Sequence, residues 1–303
     1  PWFAPTLLAE GRLAGRIEHQ NVIPIYALGK SDQGAPILVM KRMRGTTWEA
    51  LLRDPNEPVW ERFVRDEGRL DYLEHNLAIL LAVVQGISAA HRVGVLHRDL
   101  KPANVLVAGP DEICIIDWGL ALDLRDPKGG AHLVGTPAFM APEQLRGRTR
   151  DVRVDVYAVG ATLYECLTGS LPFRGSPIEI LLAKQEPEVP DPAKLVPSIP
   201  AAMRELCMQL MAVEPEDRPI SEVMLTAFGD VAGPASSHGE GSLAVRRPRR
   251  GSVPFVGREP QLALLQGAFE DVGARAEAVT VHVHGASGYG KSALINKFLA
   301  DVR

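Results

Sequence analysis

From Val95 to Gly119 the chain reads VLHRDLKPANVLVAGPDEICIIDWG, and few folds can accommodate such a stretch. Two apolar runs of strand type, VLVAG and ICII, are separated by a GPDE turn, which predicts a β-hairpin. Asn104 stands just before the first run and Asp117 just after the second. An antiparallel hairpin brings those two positions together. Both side chains are hard oxygen donors of the kind that hold Mg²⁺. Just upstream lie Asp99 and Lys101. Transfer of a phosphoryl group from ATP to a hydroxyl needs a carboxylate to orient and deprotonate that hydroxyl, a cation against the moving charge, and oxygen ligands for a metal. This stretch supplies all three.

The flanking pattern is mixed helix and strand. Leu7, Leu8, Leu13 and Ile17 fall at roughly helical spacing over residues 6–18, and two β-type runs follow at 22–29 and 35–43, split by KSDQG. A long apolar helix is expected from about residue 76 to Gly94, and further helices over 154–169, 178–185, 201–213 and 220–231. Residues 232–252, rich in Gly, Ser and Pro with four arginines between 246 and 250, have too few large apolar side chains to pack and read as a flexible linker.

HRDLKPAN, DWG, GTPAFMAPE and DVYAVG, in that order, resemble the eukaryotic-like serine/threonine protein kinases of bacteria, over about residues 1–230. The resemblance implies an α+β, protein-kinase-like fold. It would comprise a partial N-lobe at 1–44 (a helix, two strands and a hinge) and a complete, mainly helical C-lobe at 45–231. It implies Asp99 as the catalytic base, Lys101 as the phosphate-contacting lysine, Asn104 and Asp117 as Mg²⁺ ligands, and Thr136 as the hydroxyl tying Asp99 to Lys101. Glu143 and Arg218 would form a buried pair, Asp155 would hold the catalytic-loop backbone, and His97 would pack on Trp118. Met40 falls at the gatekeeper position, with the backbone of Lys41 and Met43 toward adenine. Glu10, nine residues before His19-Gln20-Asn21, matches the helix glutamate that pairs with an ATP-binding lysine. Lysine at 101 implies Ser/Thr rather than Tyr specificity, so the expected partners are substrate proteins and the cofactors ATP and Mg²⁺.

Two departures from the family pattern stand out. No glycine-rich loop and no strand lysine precede Glu10, so the chain is expected to be a fragment whose front is lost; a catalytically inactive scaffold that signals by binding is the second reading. The segment Leu120–Gly135 contains no Ser, Thr or Tyr, and Asp123 or Asp126 is expected to give Arg98 the negative partner that a phosphorylated residue usually provides.

Near the C-terminus, GASGYGKS fits the phosphate-cradling pattern G-x-x-x-x-G-K-[ST], between a β-run at 279–284 and a helix start. Gly285, Gly288 and Gly290 would let backbone N–H groups close on phosphates, Lys291 would reach the β/γ phosphates, and Ser292 would ligate Mg²⁺. With VGREPQLALL upstream, residues 253–303 resemble the beginning of an α/β P-loop ATPase domain of the AAA type. A P-loop ATPase regulator with a vestigial kinase is therefore a third reading. A net charge of −4 argues against a broad nucleic-acid or membrane surface, and no run of 18 apolar residues occurs. Three separated cysteines fit free thiols in a reducing compartment, and a cytoplasmic location is expected. No feature indicates an oligomeric state.

Overall fold

The structure, a computed structural model, describes residues 3–30, 35–63, 72–126, 134–185, 188–232 and 261–267. The linker and the phosphate-cradle residues Gly285, Gly288, Gly290, Lys291 and Ser292 lie outside the described residues. The chain divides into two units, residues 1–236 and 237–303. In the second, the described residues form one helical stretch, 261–267.

The first unit opens with helix α1 (Phe3–Ala14), followed by the antiparallel pair β1 (Ile25–Lys30) and β2 (Pro36–Met40). Both strands are shorter than their apolar runs. Pro24 has no N–H, and its carbonyl accepts from Lys41, which closes the ladder at that end. Residues 21–23 serve a different sheet: Ile23 N–H bonds the Ile115 carbonyl (3.0 Å) and Ile115 N–H bonds the Asn21 carbonyl (2.8 Å). This links the end of the first helical region to the hairpin flanked by Asn104 and Asp117.

After β3 (Thr46–Thr47) and α2 (Trp48–Arg53), the core is set by α3 (Tyr72–Arg92). By length and mean hydropathy α3 would pass for a membrane span, but 61% of that window is buried inside the fold. The reason is its position: α5 (Arg153–Thr168) and α8 (Ser221–Ala232) pack on it, and Ile79, Leu80, Val84, Ile87 and Ala90 are wholly buried. Burial of such side chains stabilises by roughly 1.5–3 kcal/mol each for the larger ones. The short β4 (Val95–Leu96) pairs with β7 (Leu122–Asp123). Between them β5 (Val105–Gly109) and β6 (Glu112–Ile115) form the expected hairpin, with β3 along the outer edge of β5.

Short helices α4 (Pro142–Leu145) and α6 (Pro177–Ala183) precede α7 (Ala201–Leu210). The last lies so close to α5 that a Cβ at Gly160 would run into Leu210 and Met211, so no larger residue fits there. Gly169 stops α5 in the left-handed conformation (φ 67°), as a helix C-terminus favours. α6 begins at a reciprocal cap between Ser176 and Glu179.

Candidate active site

The hairpin does what its sequence predicts. Val105 pairs with Ile115, and Ile116 N–H bonds the Asn104 carbonyl at 2.9 Å, so Asn104 and the chain leading into Asp117 lie side by side. A 3₁₀ turn over Pro102–Asn104 aims the Asn104 amide back at Asp99, donating to its carbonyl (2.9 Å) and its Oδ2 (3.2 Å). With its nitrogen so engaged, the side chain has its oxygen left as the free donor for a cation. Asp117 sits at φ 61°, a strained conformation for a non-glycine residue and one common at functional sites.

Asp99 is the centre of a closed polar ring. Lys101 Nζ donates to its Oδ2 (2.7 Å), the Thr136 hydroxyl donates to its Oδ1 (2.7 Å), and Lys101 also donates to Thr136 (2.6 Å). The carboxylate is buried but the ring opens on one side to a cavity of about 220 Å³, lined by Lys101, Thr136, Phe139, Glu49 and Glu165 among others. Burial, then the charge of Glu49, pushes the Glu165 carboxyl up, with Arg53 opposing.

The catalytic loop is held from below by Asp155 at the start of α5. Its carboxylate accepts the backbone N–H of His97 (2.9 Å) and of Arg98 (2.8 Å), and Arg98 takes a positive φ of 66° as the chain turns over it. His91 Nε2 bonds the same carboxylate (2.8 Å), and its Nδ1 meets the Ser221 hydroxyl. Burial alone would raise the Asp155 carboxyl, but the bond and charge of His91 and the backbone N–H of His97 oppose it, and its pKa is lowered. His97 accepts the Asp99 N–H on Nδ1, leaving Nε2 to donate to the Ile116 carbonyl, so it stands as a neutral ring. Burial lowers its pKa in the same sense. Its ring packs on Trp118 at 4.7 Å.

The nucleotide-side residues are placed more openly. Glu10 reaches in from α1: its carboxylate lies beside Asp117, near the backbone N–H of Trp118. Burial, then the Asp117 charge, raises its pKa, with that N–H opposing. Met40 is 42% exposed at the end of β2, and Lys41 extends its side chain to Glu112 (2.7 Å). The Lys41 N–H is taken by Pro24, so its carbonyl is the hinge group left for a ligand. Met43 packs against the core.

Glu143 and Arg218 form a bidentate pair (2.7 and 2.8 Å), and Arg218 also donates to the carbonyls of Ala212, Val213 and Arg153. For Asp123 the expected pairing with Arg98 is overturned. Asp123 does not serve Arg98: its carboxylate bonds Arg16, just past α1, and Arg125. The Asp126 N–H bonds the Asp123 carbonyl. Arg98 is instead tied by Nε to the Leu120 carbonyl (2.7 Å). The physical reason is register: pairing of Asp123 with Val95 in the β4–β7 ladder brings it to the end of α3, where Arg16 also bonds the Val93 carbonyl (2.7 Å).

Arg16, His91 and Lys184 make long-range contacts around the candidate site that the sequence did not single out. His91 lies six positions before His97, but its partner Asp155 is 64 residues away, and no local spacing marks the link. Among the described residues there is no cluster of three or more His, Cys, Asp or Glu that would hold a metal by itself. The oxygens of Asn104 and Asp117 fit instead the sparse protein ligation of Mg²⁺, completed by substrate phosphates.

Comparison with known proteins agrees with this geometry. The chain matches the protein kinase domain over residues 3–227 and the AAA ATPase domain over residues 254–303. It is 31% identical over 262 residues to serine/threonine-protein kinase PknE of Mycobacterium tuberculosis, an alignment covering 86% of this chain and 44% of PknE. Serine/threonine-protein kinase PknH of Mycobacterium bovis is 32% identical over 84% of the chain and 41% of PknH. PknL of Mycobacterium tuberculosis is 33% identical over 69% of the chain and 50% of PknL. The chain thus spans half or less of the length of these relatives.

Proposed function

The chain belongs to the protein kinase family, and from that premise we propose that residues 3–227 transfer the γ-phosphate of ATP to serine and threonine hydroxyls of proteins. The observation that carries the proposal is the closed ring of Asp99, Lys101 and Thr136, open to a cavity on one side. Asp99 orients the incoming hydroxyl and accepts its proton. Lys101, already within reach of that carboxylate, is positioned to neutralise charge on the transferred group. Asn104 and Asp117 would hold Mg²⁺, which supplies charge neutralisation at the phosphates. Asp155, through the N–H groups of His97 and Arg98, keeps the loop in the one conformation where these groups converge, and positioning of this kind is most of catalysis in phosphoryl transfer.

We assign the adenine contacts to the hinge backbone at Lys41 and Met43 beside Met40, and the domain limits to 1–44, 45–231, a linker at 232–252 and the start of an ATPase module from 253. In that module Gly285, Gly288, Gly290, Lys291 and Ser292 would cradle a second nucleotide. The buried thiols of Cys114 and Cys207, unpaired, support a cytoplasmic setting.

The test is transfer of labelled phosphate from ATP·Mg²⁺ to a generic basic protein, in a protein extended at the N-terminus through a glycine-rich loop and strand lysine. Transfer that vanishes in Asp99→Asn supports the assignment; transfer unaffected by it refutes Asp99 as the base. The second reading is an inactive scaffold, in which Glu10 keeps the surroundings it has here, beside Asp117 and the Trp118 backbone N–H. Nucleotide binding without turnover in the extended protein would select that reading.

A further inference from the structure

Lys184, at the C-terminus of α6, is 1% exposed, and among the described residues it is the only lysine in the core. Its ammonium donates to the main-chain carbonyls of Ala138 (2.8 Å) and Met140 (2.6 Å). The ring faces of Tyr157 and Phe173 lie 4.9 and 5.5 Å from it. Among the described residues no carboxylate bonds it directly. Burial, then the nearby Arg218, pulls its pKa down to about 7, with Glu143 pulling the other way. A cation enclosed in this way is costly, and an apolar side chain of similar volume at such a site is often neutral or stabilising. Stability therefore does not account for a lysine here, and what it grips does.

The gripped segment runs from Thr136 to Met140. At its start Thr136 is bound to Asp99 and Lys101, and the N–H groups of Phe139 and Met140 both return to the Thr136 carbonyl. Phe139 lines the cavity beside Lys101. Past its end, Glu143 is locked by Arg218. The segment is thus a short turn pinned at one end by the catalytic ring and at the other by Lys184, and it forms a wall of the space in which a hydroxyl must approach Asp99.

We propose that Lys184 is a positioning residue for the protein substrate: by holding the carbonyls of Ala138 and Met140 against α6, it sets the wall on which the substrate chain lies beside Asp99. The inference rests on the kinase reading of the site. It requires no contact between Lys184 and substrate or nucleotide.

Two measurements test it, and the first is independent of activity. Amide hydrogen exchange on residues 1–303 should be about tenfold faster or more at 136–141 in Lys184→Met, as expected for losing two charge-assisted hydrogen bonds. Amides of α3 and α5 should be unchanged, and the melting temperature equal or higher. In the extended, active protein, KM for the protein substrate should rise by about tenfold while KM for ATP stays within about twofold. Lys184→Gln, which keeps N–H donors on a shorter stem, should recover part of both effects; should the Met variant not fold, the Gln variant must show the same effects, smaller. Unchanged exchange at 136–141, or parallel rises in both KM values, would overturn the proposal. Lys184-dependent exchange with no transfer by the wild-type extended protein would refute the kinase reading and leave the anchoring role standing.

Discussion

The β1–β2 pair and the α3–α5–α8 layer are built from comparably apolar sequence, IYALGK and PILVM against VDVYAVGATLYECLT, yet they end in different surroundings. Tyr26, Ile37, Val39 and Met40 are 42–65% exposed, whereas Val156, Val159, Ala161, Ile79 and Ile87 are sealed in the core. The difference divides the labour of the site. The side chains to which we assign proton and phosphate chemistry, or the bracing of it, hang from the sealed layer: Asp155 starts α5, His91 ends α3, and Asp99, Asn104 and Asp117 follow directly from the loops these helices brace. The groups assigned to the nucleotide, Glu10, Met40 and Lys41, sit on the thin, exposed side. The groups that must be placed most precisely are thus carried by the buried layer, and those assigned to the nucleotide by the exposed strands.

The largest effects should come from breaking the chemistry on the sealed side. In the extended protein, Asp99→Ala and Asp117→Ala should each lower transfer by about 10³-fold or more, as expected for losing a general base or a metal ligand. Their routes should differ: Asp99→Ala keeps Mg²⁺-dependent ATP affinity, measured by calorimetry, and Asp117→Ala weakens it. Equal losses of affinity would contradict the division of roles.

Next in size is the buried pair that closes this layer. Arg218→Ala leaves Glu143 enclosed and uncompensated, and removes donors to three carbonyls. A cost of about 3–5 kcal/mol is expected in urea denaturation. A loss under 1 kcal/mol would mean that the helical layer is less sealed than its geometry indicates.

A smaller effect is expected at the seam between the two regions. Arg16 joins the end of α1 to Asp123 and to the Val93 carbonyl with part-buried side chains. Arg16→Ala should cost about 1 kcal/mol or less in stability. It should lower transfer by up to roughly fivefold, the equivalent of one such contact, through freedom given to Glu10 and β7. Since Leu120–Gly135 offers no hydroxyl, phosphatase treatment should leave activity unchanged. Activity lost to phosphatase and traced to a phosphate within 120–136 would show that the seam is set by modification instead.

The smallest effect sharpens the comparison most directly. Val39→Thr on the exposed face of β2 should change stability by less than about 0.5 kcal/mol. The same exchange at Val159 in α5, which buries a hydroxyl in an apolar helix contact, should cost about 1–3 kcal/mol. Similar losses at both positions would mean that the β1–β2 face is covered in solution.

Much of the site was legible because its chemistry is local. Asp99, Lys101 and Asn104 lie within six residues, and a two-strand hairpin brings Asp117 to them by a register that alternation and the GPDE turn already state. The helices were legible from their period, though α3 begins at Tyr72, before the apolar run does, and α1 ends at Ala14 rather than at residue 18. Those ends depend on what packs beside them, not on propensity.

Residue order and spacing, then, determined the kinase family, the hairpin, the helical layer and which residues meet around Asp99, because backbone periodicity and turn chemistry act over a few residues. The tertiary structure alone decided which charges meet. Arg16 bonds Asp123 across 107 positions, His91 bonds Asp155 across 64, and Lys184 bonds Ala138 and Met140 across 46 and 44. Asp123, an equally good anion for Arg98 by composition, went to Arg16 because the β4–β7 register placed it there. An ion pair has no sequence period of its own; it forms wherever packing of the apolar elements brings opposite charges within reach.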